Sequence, residues 1–294
     1  MSQISANHLT LEYESFGPAR APAVLLIMGL GAQLTRWPLE VCDALVDRGY
    51  RAIRFDNRDC GLSSKLDGAK IPDLGAALRS GTPISAPYTL DDMATDSVAL
   101  LAALDIAKAH IVGASMGASI AQLVAAGHPE RTLSLTSIMS SSGNPLLPPP
   151  TPAAAMGLFA PLPATRDRES MVADAIRRYR VFASPGYPPE ASRLRAMLES
   201  EFDRCFYPQG VARQLAALLV NGDRRSHLRT ITAPTVVLHG ADDPLIRVEC
   251  GSDVAANIPG AEMRVIAGMG HDFPVALATT FADAVDAAAR RNLR

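Results

Sequence analysis

One serine lies in a setting typical of an enzymatic nucleophile. Ser115 is the centre of a G-x-S-x-G motif at 113–117, which follows an apolar strand predicted over 110–114 and precedes a helix predicted over 116–127. The two glycines let strand and helix approach closely, so a sharp turn can lift the hydroxyl off the sheet. The pentapeptide alone occurs by chance in many chains, but in this context it predicts Ser115 as the nucleophile.

A serine hydroxyl is a weak nucleophile without a base, so a histidine is expected nearby. His271 lies in the glycine-flanked segment GMGHDFP, between a strand predicted over 263–267 and a last helix predicted over 275–291. Loops at the carboxyl ends of parallel strands meet at one edge of the sheet, where such sites form. We therefore predict His271 as the base. Strand, helix-end or surface positions favour structural roles for the other five, His8, His110, His128, His227 and His239.

The third member of such a site is a carboxylate that orients the imidazole and stabilises its charged form. A strand predicted over 235–240 is followed by two neighbouring candidates, Asp242 and Asp243. Adjacent loop residues usually point in different directions, so only one of them is expected to reach the histidine. Asp243 is favoured, and Asp242 is then expected to form the turn.

Hydrolysis through a serine also needs two donors for the oxyanion. The Met116 N–H follows the nucleophile at the start of a helix, where free N–H groups face a bound anion. The second donor is expected from the Met-Gly-Leu-Gly segment at 28–31, after a strand predicted over 23–28. Leu30 is the candidate there, because a backbone donor tolerates any side chain. An ordinary glycine-rich turn is the alternative.

A charged loop, DNRDCGLS at 56–63, invites a catalytic interpretation, but a network of Asp and Arg that braces the loop near the site is favoured. The sequence has no H-x-x-x-H pair, and no G-x-G-x-x-G or P-loop follows a first strand. We therefore expect neither a metal nor a nucleotide cofactor.

The elements that must position these residues alternate between short β-rich runs and longer helical patterns. This alternation predicts an α/β fold with a mostly parallel sheet covered by helices on both faces, and with an edge strand over 8–16. The segment 143–163 is too rich in proline for a strand or an uninterrupted helix. Helices are predicted after it over 169–182, 190–202 and 211–221. We predict a core of residues 1–143 and 228–294, interrupted by an all-helical insert over 144–227.

The composition of the chain limits the classes of molecule that it is expected to bind. The chain of 294 residues is 48% hydrophobic and has a formal net charge of −2, so it lacks the basic footprint of a nucleic-acid or anionic-membrane protein. Its longest apolar runs are far shorter than a membrane helix, and the N-terminus lacks a secretory pattern. These features predict a cytoplasmic protein acting on a small molecule, with free thiols at four distant cysteines, Cys42, Cys60, Cys205 and Cys250.

The order of these motifs resembles the α/β-hydrolase superfamily across essentially the whole core. Within it, GASMGASIAQ, DNRDCGLS and PTVVLHGADDPLIR…IPGAEMRVIAGMGH are similar to the aclacinomycin methylesterase branch. Met28 stands where the superfamily usually has histidine and Asp59 where it usually has glycine, and both look like features of this branch. The resemblance implies an α/β-hydrolase fold with the insert as a cap over the active site. It also implies a triad and two oxyanion donors, namely Ser115, Asp243 and His271 with Leu30 and Met116.

The function predicted from these residues is hydrolysis of a carboxylic ester through an acyl-enzyme. The same triad serves carbon–carbon bond hydrolases, perhydrolases and prolyl aminopeptidases. A carbon–carbon hydrolase acting on an acidic dienoate would use an arginine facing the pocket, such as Arg177, Arg178 or Arg180. From a different class, a non-catalytic ligand-binding protein with this fold is the remaining alternative. The cap is expected to set specificity through an apolar pocket, with candidates Leu146, Leu147, Met156, Leu158 and Phe159.

Overall fold

An eight-stranded sheet forms the centre of the computed structural model, which describes residues 2–160 and 162–291, apart from the side chains at 78 and 79. The ends of the predicted core at 1 and 292–294, and position 161 of the predicted insert, lie outside the described residues. The strands are β1 (Ser2–Ala6), β2 (Leu9–Phe16), β3 (Ala23–Ile27), β4 (Arg51–Phe55), β5 (Ala109–Ala114), β6 (Thr132–Ile138), β7 (Thr235–Gly240) and β8 (Glu262–Ile266).

The strand order is β1-β2-β4-β3-β5-β6-β7-β8. The strands from β4 to β8 in this order are parallel to one another, while β1 and β2 add an antiparallel edge. The described helices are α1 (Leu39–Val46), α2 (Leu74–Ser80), α3 (Leu90–Ala103), α4 (Met116–Gly127), α5 (Pro152–Phe159), α6 (Arg168–Phe182), α7 (Ala191–Arg204), α8 (Pro208–Asn221), α9 (Arg225–Leu228), α10 (Val248–Asn257) and α11 (Ala278–Arg291).

Two apolar layers cover the sheet, one on each face. β3 is buried at every residue, because Leu25 and Ile27 pack into one layer with α3 and α4, while Val24 and Leu26 pack into the other with α1 and α11. A strand buried on both faces reads as a continuous apolar run, which is why this segment shows no polar alternation. The predicted α/β-hydrolase architecture, a mostly parallel sheet with helices on both faces, is confirmed.

The edge of the sheet differs from the prediction. The strand predicted over 8–16 as the edge is β2, and it pairs with β1 on one side and with β4 on the other. β1 is short and polar, and four of its five residues are exposed or half-buried, so no apolar alternation marks it in the sequence.

The proline-rich segment contains a short helix that the sequence did not predict, α5, although the segment is not an uninterrupted helix, as expected. Pro152 occupies the first turn of this helix, where its missing N–H costs nothing, and Thr151 caps it by accepting a hydrogen bond from the Ala154 N–H at 3.3 Å. The prolines therefore bound this helix instead of preventing it.

The helices between β6 and β7 lie close to their predicted positions, as α6, α7 and α8. The boundaries of the insert, 144–227, stay a prediction. Buried ion pairs join this segment to the charged loop that follows β4. Arg204 lies 2.8 Å from Asp56, and Arg213 forms two hydrogen bonds with Asp59, at 2.8 and 2.9 Å. No described helix is long and apolar enough to cross a membrane.

The helix after Ser115 contacts β3 through a glycine that leaves no room for a side chain. A Cβ at Gly117 would collide with the backbone carbonyl of Ile27, whereas a Cβ at Gly127 of the same helix would meet nothing within 4 Å. We expect Gly117→Ala to lower the free energy of unfolding by about 1–3 kcal/mol. Gly127→Ala should leave it unchanged or raise it by up to about 1 kcal/mol. Urea unfolding of both variants tests this, and equal midpoints would contradict the close approach.

Candidate active site

Ser115 occupies a strained turn between β5 and α4. Its φ of 56° and ψ of −123° lie in a region that residues other than glycine rarely adopt. The Ser115 N–H donates to the Ile138 carbonyl of the neighbouring strand at 2.9 Å, which holds the turn. A Cβ at Gly113 would collide with the carbonyl of Gly117, so the motif's glycines permit the close approach. The turn leaves the Ser115 hydroxyl at the carboxyl edge of the sheet.

The three residues predicted as a triad lie on three loops and are joined by hydrogen bonds. Nε2 of His271 lies 3.0 Å from Oγ of Ser115, and its Nδ1 lies 2.7 Å from Oδ2 of Asp243. The backbone N–H of His271 donates to the Phe182 carbonyl at 2.7 Å. This geometry lets the imidazole take a proton from the hydroxyl while the carboxylate holds the other nitrogen. The catalytic roles of the three residues remain proposals.

The Asp243 side chain is fully buried, and its other oxygen is satisfied by the backbone. Its Oδ1 accepts hydrogen bonds from the N–H groups of Leu245 and Ile246, at 2.9 and 2.8 Å. Burial alone would raise the pKa of Asp243, but the charge of His271 and the hydrogen bond to it outweigh burial and hold that pKa below its ordinary value. The residue is therefore an ionised acceptor at neutral pH.

The neighbouring carboxylate joins this loop to the loop after β8, whereas the sequence predicted that it would form its own turn. Oδ2 of Asp242 accepts a hydrogen bond from the Gly268 N–H at 2.8 Å, and this side chain is exposed. The two adjacent aspartates therefore point in different directions, and only Asp243 contacts His271.

His239 is a buried residue at this site for which the sequence predicted only a structural position in a strand. Its Nε2 donates to the Ile246 carbonyl at 2.8 Å and lies 3.6 Å from Oδ2 of Asp243. Burial lowers the pKa of His239, so the ring is neutral at neutral pH. It fixes the loop whose N–H groups bind Asp243. Its spacing along the chain carries no signal for this role.

The loop that carries Leu30 passes close to Ser115, and Met116 follows Ser115 directly. An ideal Cβ at Gly29 would be 3.1 Å from Cβ of Ser115, so the loop after β3 passes close to the hydroxyl. In that loop, Gly31 N–H donates to Gln214 at 2.8 Å and Ala32 N–H donates to the Gly29 carbonyl at 3.3 Å. Leu30 N–H has no acceptor among the described residues. Met116 is the first residue of α4, so its N–H has no intrahelical acceptor either.

A series of hydrogen-bonded polar side chains ends at the backbone of the Ser115 turn. Arg224 donates to Oγ of Ser119 at 2.9 Å, Oγ of Ser140 lies 3.2 Å from that hydroxyl, and Ser140 donates to the Ser115 carbonyl at 2.9 Å. Burial lowers the pKa of Arg224 to about 10, so it is charged at neutral pH. Sequence reasoning missed this residue, because it lies more than a hundred positions from Ser115.

The loop that carries His271 is attached to the end of α6. Gly270 N–H donates to Oγ of Ser184 at 2.8 Å, and Asp272 accepts hydrogen bonds from the Ser184 N–H at 3.1 Å and from Tyr179 at 3.2 Å. Burial raises the pKa of Asp272, and these hydrogen bonds partly offset the effect. The position of the imidazole therefore depends on residues of the predicted insert.

The three charges of the loop at 56–63 act as braces, as predicted, but each has its oppositely charged partner outside the loop. Arg58 forms two hydrogen bonds with Asp96, at 2.5 and 2.7 Å, while Asp56 and Asp59 face Arg204 and Arg213. Among residues 2–160 and 162–291, no group of three or more His, Cys, Asp or Glu side chains could hold a metal ion.

The doubly covered parallel sheet, the strained serine after β5 and the histidine before the last helix define an α/β hydrolase. The chain belongs to the alpha/beta hydrolase fold family, whose model matches residues 22–275. It is 30% identical to rhodomycin D methylesterase DauP of Streptomyces sp. (strain C5), over 98% of this chain and 97% of that protein.

Other relatives carry different names. The chain is 29% identical to 2-hydroxy-6-oxononadienedioate/2-hydroxy-6-oxononatrienedioate hydrolase of Cupriavidus pinatubonensis (strain JMP 134 / LMG 1197), over 86% of this chain and 81% of that protein. The enol-lactonase from Burkholderia xenovorans LB400 shares the fold, with a TM-score of 0.72, 21% identity and coverage of 98% of this chain and 99% of that one. The matches confirm the family, the resemblance to the methylesterase branch and an esterase-like enzyme.

The lowered pKa of Asp243 gives a test in acid. The folded pKa lies below the ordinary value of about 3.9, so this carboxylate contributes stability above that pH, and the contribution is lost as the pH falls through the lower folded value. We expect Asp243→Asn to lose less stability than the wild type on acidification below about pH 4. Urea unfolding across this pH range measures the effect, with Asp242→Asn as the control. Parallel curves for D243N and the wild type would contradict it.

Proposed function

We propose that the protein hydrolyses a carboxylic ester through an acyl-enzyme on Ser115. The observation that carries this proposal is the continuous hydrogen-bonded chain from Ser115 through His271 to the buried Asp243, with two uncommitted backbone N–H groups beside the hydroxyl. Nucleophile, base, orienting acid and oxyanion donors are the parts that acyl transfer needs.

In the first half of the reaction, Oγ of Ser115 attacks the ester carbonyl carbon while Nε2 of His271 accepts its proton. The N–H groups of Leu30 and Met116 bind the oxyanion of the tetrahedral intermediate, and Asp243 stabilises the imidazolium. The carbon–oxygen bond of the alcohol then breaks, and His271 protonates the leaving alkoxide. The products are an acyl-serine and the alcohol.

In the second half, a water molecule attacks the acyl-serine while His271 accepts one of its protons. The second tetrahedral intermediate uses the same two N–H groups. Its collapse breaks the bond to Oγ, which regains its proton from His271, and the carboxylic acid leaves. One ester and one water give one acid and one alcohol.

A small, neutral ester is the proposed substrate class. The relatives named rhodomycin D methylesterase favour an ester with a small alcohol, although rhodomycin D itself is not carried over to this chain. The apolar pocket expected at the start of the insert stays a prediction. Leu146, Met156 and Phe159 are 87%, 72% and 52% exposed, whereas Leu147 and Leu158 are half-buried. Cytoplasmic location and the absence of nucleic-acid partners stay predictions.

Carbon–carbon bond hydrolysis is the second candidate, because a relative that is 29% identical to this chain is named as the hydrolase of an acidic dienoate, 2-hydroxy-6-oxononadienedioate. An acidic dienoate would need a cation in the pocket. Two of the three arginines considered for this task already pair with a carboxylate, since Arg177 and Arg178 both bind the buried Asp174. The third, Arg180, is exposed. Arg178 also donates to the carbonyl groups of Gly157 and Ala160. Ester hydrolysis is therefore favoured.

The nucleophile is tested with a series of p-nitrophenyl esters from acetate to palmitate. We expect turnover by the wild type to peak at one chain length, and Ser115→Ala to lower kcat on the order of 10⁴-fold or more, because no other hydroxyl lies against His271 in the described residues. Ser252→Ala, which changes an exposed serine of α10, is the matched control and should retain full activity.

Covalent labelling by a fluorophosphonate separates the remaining outcomes, because it requires an activated serine. Labelling of the wild type without turnover of any ester in the series would point to the same triad acting on another substrate class. If the wild type shows no labelling and no turnover, the enzymatic proposal is contradicted and a ligand-binding protein is favoured.

The two adjacent aspartates offer a matched pair of variants for the acid. We expect Asp243→Asn to lower kcat by about 10⁴-fold, because the amide no longer stabilises the imidazolium and favours the wrong tautomer. Asp242→Asn should stay within a few-fold of the wild type, since Asp242 contacts Gly268 instead of His271. Steady-state kinetics on the best ester measures both, and equal losses would contradict the assignment of the acid.

A further inference from the structure

The turn that carries the second oxyanion donor is held by a side chain from α8. Gly31 N–H donates to Oε1 of Gln214 at 2.8 Å, and Nε2 of Gln214 donates to the Arg58 carbonyl at 2.7 Å. The Gln214 side chain is fully buried, and the amide is engaged at both ends. A buried amide with both groups satisfied has one preferred orientation, so it can fix the backbone that it binds.

The bonded N–H belongs to the middle peptide of a tight turn. The Ala32 N–H donates to the Gly29 carbonyl, so Leu30 and Gly31 are the two central residues, and Gly31 has a φ of +65°. Rotation of the middle peptide is the motion by which such turns change type. An acceptor for Gly31 N–H therefore stabilises one form of the turn and anchors it to α8. The Leu30 N–H lies in the preceding peptide of the same turn, so anchoring the turn restrains the position of that donor.

α8 itself is fixed against the core, so Gln214 is a rigid support. The neighbouring Arg213 makes two hydrogen bonds with the buried Asp59, and Gly210 lies so close to the Asp59 carbonyl that a Cβ would collide with it. A Cβ on Gly31 would be 2.8 Å from Val211, which leaves little room for the turn to move toward the helix.

We propose that Gln214 is a positioning residue, which holds the Gly29–Ala32 turn so that the Leu30 N–H faces the oxyanion. This inference rests on the proposed acyl-enzyme function of Ser115. α8, a helix of the predicted cap, would then also complete the oxyanion site. The Gln214 side chain acts only through the backbone of Gly31 and does not contact the reacting atoms.

The principal variant is Gln214→Met, because methionine has a similar shape and lacks the acceptor for Gly31. We expect kcat to fall about 10- to 100-fold, less than the 10²–10³-fold that loss of an oxyanion donor costs, because the donor is displaced but present. KM should change little, since the hydrogen bond to Leu30 strengthens in the transition state. Affinity for an alkyl boronic acid, whose tetrahedral adduct on Ser115 mimics that state, should fall in the same proportion as kcat.

Two further variants complete the set. Gln214→Glu keeps an acceptor for Gly31, so its kcat should lie closer to the wild type than that of Q214M. Gln209→Met makes the same change at an exposed position of α8 and should leave all parameters unchanged. Should Q214M fail to fold, Gln214→Asn repeats the test, because its amide is too short to reach Gly31.

The pH dependence of kcat separates positioning of the turn from damage to the triad. We expect its midpoint to be the same in Q214M and in the wild type, because His271 and Asp243 are untouched. A folded Q214M with kcat and boronic-acid affinity within about twofold of the wild type would overturn the inference, and so would a loss of kcat with a shifted midpoint.

Fluorophosphonate labelling distinguishes failure of this inference from failure of the proposed function. If the wild type is labelled at Ser115 but hydrolyses no ester, the ester assignment fails; slower labelling of Q214M still supports Gln214, because the phosphoryl oxygen uses the same donors. If the wild type is neither labelled nor active, the proposed function falls and this inference falls with it.

Discussion

The site depends on one strained turn. A non-glycine residue at the φ of Ser115 costs on the order of 1–3 kcal/mol, and the surrounding contacts must offset that cost. The Ser115 N–H binds the Ile138 carbonyl, and the Ser115 carbonyl accepts from Ser140 and from the start of α4. The close approach of α4 to β3 excludes the relaxed alternative, because Gly117 lies against the Ile27 carbonyl. If the turn relaxed, the hydroxyl would leave His271 and the Met116 N–H would leave the position proposed for the oxyanion.

A second constraint acts on Asp243: a buried carboxylate needs hydrogen-bond partners for both of its oxygens. Asp243 has them in two backbone N–H groups and in His271, so the imidazole is part of what makes its burial tolerable. His239 sits behind this arrangement as a neutral ring. A charged histidine there would compete with His271 for Asp243, and burial, which lowers the pKa of His239, prevents that competition.

The sequence predicted most of the sheet and the residues of the candidate site, because those signals are local. A strand, a small-residue turn and a helix around Ser115 lie within about twenty positions, and His271 shows the same local pattern. The side chains that hold the turns of the site could not be predicted, because they are far in sequence from the residues they bind. Gln214, for example, binds Gly31 across 183 positions. β1 escaped prediction because a polar strand at an edge has no period, and α5 because proline suits the first turn of a helix as well as a loop.

Residues of the predicted insert hold parts of the candidate site in place, so this segment is more than a cover over the site. Ser184, just after α6, holds the His271 loop, and α8 holds the Gly29–Ala32 turn through Gln214. Moving the whole insert away would separate Arg213 from Asp59, both buried, and would loosen His271 and Leu30 together. Substrate access must then use the parts of the segment that carry no such contacts. Of the helices in the segment, α5 comes nearest to this requirement, since it is short and exposes Met156. Its described hydrogen bonds run to Arg178 of α6 and, through its cap Thr151, to the Pro244 carbonyl. A specificity change that keeps activity is accordingly easier to place in α5 than in α8.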